Sequence, residues 1–187
     1  YKMWCESDPR VGRAHIVPLF AGENTVMGVI MDNEGMPATP AVVKDVQDYI
    51  DPITKGIQLE YNGAMITAGD GTGNGQANIG AHFYAVSAKA FDIAVEFNVE
   101  VATGFTIEQA REQATSAITV YFKELALDTP ESERVIVRMS TIGALLYAQP
   151  AILDYSELTL NSVSSNIEIS EIELPALEGV TVNAFIR

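Results

Sequence analysis

The chain has 187 residues, of which 48% are hydrophobic, so it can bury a substantial core as one domain or as two small ones. Its 11 Lys and Arg residues against 25 Asp and Glu residues give a formal net charge of −14, which repels phosphate backbones and anionic lipid. The longest apolar runs fall well short of the roughly 20 residues that cross a bilayer. Neither direct nucleic-acid binding nor membrane insertion is therefore expected.

The single cysteine, Cys5, excludes an intramolecular disulfide and a metal cage built from thiolates, so folding must depend on packing. The sequence begins at Tyr1, without a methionine and without the pattern of a secretory signal. We therefore expect further residues upstream in the whole protein.

The first predicted elements are two strands, over residues 13–17 and 25–32, joined by a turn. Thr39 followed by Pro40 then predicts the N-cap and the first position of a helix that ends at Asp51. The apolar face of this helix is predicted to consist of Val43, Val46 and Ile50.

Residues 52–79 show little regular pattern, so we expect an exposed segment with a long glycine-rich insertion loop over about 56–80. The glycine-rich run Gly71-Thr-Gly-Asn-Gly-Gln-Ala-Asn-Ile-Gly-Ala81 precedes a predicted strand over 82–87. A phosphate-binding loop would need a Lys and a Ser or Thr after the last glycine, and this run has neither. A calcium-binding repeat would need several copies, whereas Asp70 and Asn74 occur in one. The run is interpreted as a flexible connector, with calcium or glycan binding by the 70–78 loop as the alternative.

Strict alternation begins at Ile93 and predicts a half-buried strand with the apolar face Ile93, Val95, Phe97, Val99 and Val101. Thr106 and Gln109 form a capping box at the start of a long amphipathic helix. Its apolar face is predicted to be Ile107, Ala110, Ala114, Ile118, Tyr121 and Leu125. A shorter helix is predicted from Ser140 through Leu146, before Pro150 ends it. Three strands are predicted to follow, over 156–160, 166–169 and 180–186.

These elements predict an α+β fold of two small modules, each an antiparallel or mixed sheet with one or two helices packed on one face. The first module is expected over residues 1–89 and the second over 90–187.

The residues that could carry chemistry form no catalytic, cofactor-binding or metal-binding motif. His15 and His82 both lie in strand patterns, where a lone histidine is more often a packed or surface side chain than a catalyst. Paired acids such as Glu96 and Glu100 could hydrolyse a glycoside only if they converged across a cleft. A non-enzymatic protein without a cofactor is therefore expected, and an acid-pair hydrolase ranks as a third alternative.

Aromatic residues supply the candidates for protein contact. Tyr1, Trp4 and Tyr61 could anchor an interface, because aromatic side chains give a large contact area at low entropic cost. The spacing of Tyr1 and Trp4 fits equally well with one packed face of a helix. The acidic surface would suit a basic partner.

Six segments occur in the order seen in one known family. They are Tyr1-Lys-Met-Trp4, Asp8-Pro-Arg-Val-Gly-Arg-Ala14, Val46-Gln-Asp-Tyr-Ile-Asp-Pro52, the glycine-rich run, Arg138-Met-Ser-Thr-Ile-Gly-Ala-Leu-Leu146 and Gln149-Pro-Ala-Ile152. The chain thereby resembles the baseplate protein J family, and within it the prophage-type wedge proteins of contractile phage tails. It departs from the family at Arg10 and Ala151, where glycine is usual, and residues 56–70 look like an insertion.

The resemblance implies a structural subunit of a phage or prophage tail baseplate, which works through protein–protein contacts and has no catalytic residues. It implies other baseplate and tail proteins as partners within a multi-subunit assembly. It also implies synthesis in the bacterial host cytoplasm and a final location in the virion tail baseplate.

Overall fold

The computed structural model describes residues 1–130 and 133–185, and it divides the chain into two compact units, Tyr1–Lys89 and Ala90–Arg187. Both units combine helices with small sheets, so the α+β class and the pattern of two small modules are confirmed. Within the described residues, no helix is long and apolar enough to cross a membrane.

The first unit contains two helices and five strands among its described residues. In chain order they are α1 (Lys2–Cys5), β1 (Val11–Pro18), β2 (Thr25–Asp32), α2 (Pro40–Ile50), β3 (Ile57–Tyr61), β4 (Ala64–Ala68) and β5 (His82–Ser87). The strands β1 and β2 pair antiparallel, which confirms the predicted hairpin, and β5 pairs parallel with β2. The resulting mixed sheet has the order β1-β2-β5, so β5 lies at one edge.

Helix α2 begins as its sequence predicts, because the Thr39 side chain accepts a hydrogen bond from the backbone of Val42 and Pro40 occupies the first turn. The buried apolar residues of this helix are Val42, Val46 and Ile50. They pack in a core with Ile30 and Phe83 of the sheet. Val43, expected on this face, is only half-buried, since the helix turns Val42 toward the sheet instead.

The expectation of an unpatterned loop over about 56–80 is wrong for its first half. There β3 and β4 form a regular antiparallel hairpin. Its turn is Asn62-Gly63, with φ angles of 48° and 76°, and this left-handed pair matches the right-handed twist of the flanking strands. Asn-Gly is a strong hairpin signal, but both strands are half-exposed and short, which masks their alternation.

The second unit contains the remaining elements. They are β6 (Lys89–Val101), α3 (Ile107–Asp128), β7 (Ile136–Val137), α4 (Met139–Tyr147), β8 (Ile152–Leu160), β9 (Ile167–Glu168) and β10 (Glu173–Ala184). The main sheet has the order β10-β6-β8, with β6 and β8 antiparallel, while β7 and β9 form a separate antiparallel pair. Helix α3 contacts β10 and α4 contacts β8, and both helices share one core with β6.

The second unit agrees with the sequence prediction at its first strand and differs from it in the buried stripe of α3 and in the start of its last strand. The strand from Ile93 is confirmed, since Ile93, Val95, Phe97 and Val99 are buried. The capping box is confirmed, but the buried stripe of α3 is Ala110, Ala114, Ile118, Phe122 and Ala126, while Ile107 is 41% exposed. The last strand is predicted to begin at Val180, but it begins at Glu173. Its first half was missed because Leu174-Pro175-Ala176 is buried on both faces and shows no alternation. Its predicted end, Ile186, lies outside the described residues.

Candidate interaction surfaces

Tyr1 and Trp4 lie against the core of the first unit. The Tyr1 ring stacks on Phe83 with centroids 5.5 Å apart and meets Trp4 edge to face at 5.2 Å. Burial, with the nearby Asp51 carboxylate, raises the pKa of the Tyr1 hydroxyl. On α1 it is Met3 that faces outward, with 75% of its surface exposed.

Tyr61 belongs to a second aromatic group on the same unit. Its ring meets Phe20 edge to face at 5.3 Å, and Phe20 in turn lies on Tyr84 at 6.0 Å. Phe83, which contacts Tyr1, directly precedes Tyr84 in β5, and successive side chains of a strand point to opposite faces. The two aromatic groups therefore lie on opposite faces of β5, and Tyr61 fixes the β3–β4 hairpin to the turn before β2.

Asp70 is used within the chain. Its carboxylate accepts hydrogen bonds from the backbone of Thr54, Lys55 and Gly56 at 2.6–3.1 Å and a further one from the Thr54 hydroxyl. The hydroxyl first, and then the backbone donors, lower the pKa of this carboxyl to about 2. Asn74 is exposed. Among residues 1–130 and 133–185, no group of three or more His, Cys, Asp or Glu side chains could hold a metal ion.

The glycine-rich run caps the end of α2. The backbone N–H of Ala77 donates to the Ile50 carbonyl at 2.8 Å, and that of Gln76 donates to the Tyr49 carbonyl at 3.2 Å. These carbonyls belong to the last turn of the helix and have no partner within it. A Cβ on Gly75 would lie 2.4 Å from the Ile50 oxygen, so glycine is required by this close approach. The run therefore has a defined structural role, unlike the flexible connector that its composition predicted.

Two buried polar side chains at the end of α2, Gln47 and Asp51, hold the edge of β5. Asp51 is 1% exposed. Its Oδ1 accepts a hydrogen bond from the backbone N–H of Gly71 and its Oδ2 accepts one from that of Phe83, both at 3.0 Å. Gln47 is 6% exposed. Its amide donates to the carbonyls of Asp51 at 2.7 Å and Phe83 at 3.0 Å, and its oxygen accepts from Ala85 at 2.7 Å.

Sequence reasoning missed Gln47 and Asp51. One signal was available in the sequence. Gln47 and Asp51 are polar residues four positions apart, and each directly follows a residue of the apolar stripe, Val46 or Ile50. Every buried side-chain nitrogen and oxygen in the described part of the chain has a hydrogen-bond partner. The network is therefore satisfied and holds α2, the glycine-rich run and β5 together.

A groove of about 500 Å³ runs beside this network, between α2 and the outer edge of β5. Its walls are Pro40, Val43, Lys44, Gln47 and Asp48 of α2, and Tyr84 to Ser87 of β5, with Ala38 and Ile53 at its ends. Lys44 and Asp48 form an ion pair with each other on the helix wall. Most of the remaining wall is apolar.

The second unit carries most of the negative charge. Residues 90–187 contain five Lys and Arg residues against fifteen Asp and Glu residues. Glu96 and Glu100 lie on the β6 face opposite the core. The Asn183 amide donates to Glu96 at 3.1 Å, and Glu100 stands opposite Asp154 in the register of β6 with β8. The Tyr147 hydroxyl donates to Asp154 at 2.6 Å, which lowers the pKa of that carboxyl.

The remaining reactive side chains are packed. His82 Nδ1 lies 2.9 Å from the Gly69 carbonyl oxygen, and His15 is half-buried in β1. Cys5 is fully buried, and burial raises the pKa of its thiol to about 12. A thiol with such a pKa is not a nucleophile at neutral pH.

Both units match models of one protein family. Residues 1–87 match the Baseplate J-like central domain, and residues 93–183 match the Baseplate J-like protein C-terminal domain. The chain belongs to the baseplate J-like family. This membership confirms the resemblance seen in the ordered motifs, and it places the α2–β5 groove in the Baseplate J-like central domain.

Two relatives from Bacillus subtilis strain 168 are similar to this Baseplate J-like chain along nearly its whole length. They are "Phage-like element PBSX protein XkdT", 31% identical over 182 residues, and "Uncharacterized protein YqbT", 29% identical over 182 residues. Each alignment covers 97% of this chain and 46% of the relative. The chain thus spans less than half the length of the curated relatives it matches.

Proposed function

We propose that this chain is part of a structural, non-enzymatic subunit of a phage or prophage contractile-tail baseplate, where it serves as a wedge component. The observation that carries the proposal is that both units match baseplate J-like domains, one after the other along the chain. The similarity to a protein of the phage-like element PBSX supports a prophage setting.

The chemistry of the described residues fits a role in protein contact. The buried polar side chains Gln47 and Asp51 bond to backbone groups, and the histidines and the cysteine are packed. Exposed apolar side chains remain on both units, among them Met3, Met65 and Ile79 on the first and Val120, Tyr147 and Leu153 on the second. We propose that such surfaces contact other baseplate and tail proteins after synthesis in the host cytoplasm, and that contraction repacks these interfaces.

The calcium or glycan alternative has less support, because the Asp70 oxygens already accept hydrogen bonds from four donor groups and the glycine-rich run caps α2. No described feature favours it over the structural role.

The test uses the full-length protein in its own prophage. After induction, tail particles are purified, and the protein is located by cross-linking mass spectrometry and by electron microscopy with an antibody against this chain. We expect cross-links to other tail proteins, label at the tail tip, and loss of sheathed tails when the gene is deleted. Sheathed, infective tails in the deletion strain, with no protein in wild-type particles, would refute the proposal.

A further inference from the structure

The edge strand β5 uses its backbone groups in alternation. His82 and Ala88 donate toward β2, to the carbonyls of Asn24 and Ile30 at 2.8 and 2.9 Å. In a parallel pair, the residues between such donors direct their N–H and C=O groups to the opposite side. The residues whose backbone groups point away from β2 are therefore Phe83, Ala85 and Ser87.

At the first outer position of β5, the Gln47 side chain takes the place of a neighbouring strand. Its amide donates to the Phe83 carbonyl and its oxygen accepts from the Ala85 N–H. One residue of a parallel strand would make the same two bonds, donating to residue i and accepting from residue i+2. A peptide-like group is therefore already seated on this edge, and it belongs to α2.

The second outer position offers the same pattern without an occupant. Its acceptor is the Ala85 carbonyl and its donor is the Ser87 N–H, and within residues 1–130 and 133–185 neither has a hydrogen-bond partner. One helical turn before Gln47, the facing residue of α2 is Val43, which has no polar group to offer. The groove opens at this point, between Pro40 and Val43 on one side and β5 on the other.

The charge of the groove limits what it can hold. Lys44 and Asp48 neutralise each other on its helix wall, and the other side chains there are mostly apolar. A free donor and a free acceptor at the spacing of one strand residue complement an extended backbone, and the apolar walls complement uncharged side chains. The net charge of −14 repels a nucleic acid, and a charged helix would have to bury its charges against the apolar walls.

We propose that the α2–β5 groove binds an extended, uncharged peptide segment of a different protein, which adds as a parallel strand at Ala85 and Ser87. The peptide residue that pairs there donates to the Ala85 oxygen and accepts from the Ser87 N–H. The side chain of this peptide residue lies on the face of β5 that carries Val86. Its two neighbours place apolar side chains on the opposite face, against Val43. This inference goes beyond the baseplate role and does not depend on it.

The test begins with a displayed library of random heptapeptides, selected on the 187-residue chain and counter-selected on a Val43→Lys variant. We expect enriched peptides with alternating apolar residues. Synthetic copies should shift the amide resonance of Ser87 and bind the Val43→Lys chain at least tenfold more weakly. The matched control is Val120→Lys on the exposed side of α3, which should leave binding unchanged.

Backbone pairing is tested on the peptide, so that the fold of the protein is untouched. N-methylation of each peptide residue in turn should weaken binding at least tenfold at the pairing residue and not at its two neighbours. The proposal is overturned if no peptide is enriched, if enriched peptides bind the Val43→Lys chain equally well, or if the methylation scan shows no single sensitive position. A Ser87 shift produced by the chain alone at high concentration would assign the groove to a second copy, which also contradicts it.

Discussion

Replacing Gln47 with leucine tests whether a single buried amide holds the edge of the first sheet. Leucine has a similar volume, so the change removes the hydrogen bonds with little change in packing. The Ala85 N–H would lose its partner, and the Asp51 carbonyl would lose its bond to Gln47, whereas the Phe83 carbonyl keeps its bond from Gly69 at 2.8 Å.

The size of the effect follows from these groups. A buried donor left without a partner costs about 1–3 kcal/mol, and the lost bond at Asp51 adds roughly 1 kcal/mol. We therefore expect Gln47→Leu to lower the free energy of unfolding of the first unit by about 2–4 kcal/mol. That is a large share of the roughly 4–13 kcal/mol typical for a domain of this length.

The assay can isolate the first unit. The chain has one tryptophan, Trp4, which packs against the core of this unit, so urea unfolding followed by its fluorescence reports on this unit. The matched control is Gln58→Leu, which removes one bond from an exposed glutamine to Thr67 and should change the free energy by less than about 0.5 kcal/mol. If Gln47→Leu also stays within about 0.5 kcal/mol of the wild type, the buried network does not stabilise the edge.

Three further substitutions, two in the first unit and one in the second, test other local contacts. Gly71→Ala should destabilise the first unit in urea unfolding by about 1–2 kcal/mol more than Gly80→Ala. Both glycines have a positive φ, but only at Gly71 would a Cβ meet the His82 ring, at 2.7 Å. In a His82→Ala background the two substitutions should therefore have equal effects. The low pKa of Asp70 adds stability that is fully present above pH 3.8, the ordinary pKa of an aspartate, and that is lost as the pH falls through about 2. Asp70→Asn should therefore flatten the dependence of the free energy of unfolding on pH in this range. Calorimetric titration of the wild type with calcium should be silent, and heat that disappears in Asp70→Asn would restore the calcium alternative. Thr106→Ala should lower the free energy of unfolding of the second unit by about 1 kcal/mol, measured by thermal unfolding followed by circular dichroism. Thr119→Ala on the exposed side of α3 should lower it clearly less, and equal effects would contradict the capping role.

The glycine-rich run illustrates how one composition permits several structures. Its glycines favoured a flexible connector, with calcium or glycan binding as the alternative, but glycine also permits a close approach of two backbones. The structure selects the close approach, since Ala77 and Gln76 cap the last carbonyls of α2. No residue within the run announces that partner, because the helix end lies more than 20 residues earlier in the chain.

The sequence alone determined the features that depend on neighbouring residues. Two helix starts could be predicted, at Thr39-Pro40 and at the Thr106–Gln109 capping box, because a cap involves only the first turn of a helix. The alternation from Ile93 identifies β6 because the side-chain period of a strand is local. The ordered motifs were also sufficient to indicate the family.

Only the tertiary structure decided which residues of a helix face the core and which polar groups meet. Phe122 replaces Tyr121 on the buried stripe of α3 because the sheet sets the rotation of the helix. Gln47 and Asp51 find Ala85 and Phe83 at separations of 38 and 32 residues. Such pairs carry no local pattern, since their partners are backbone groups that any residue could supply, and they become specific only when folding brings α2 beside the edge of β5.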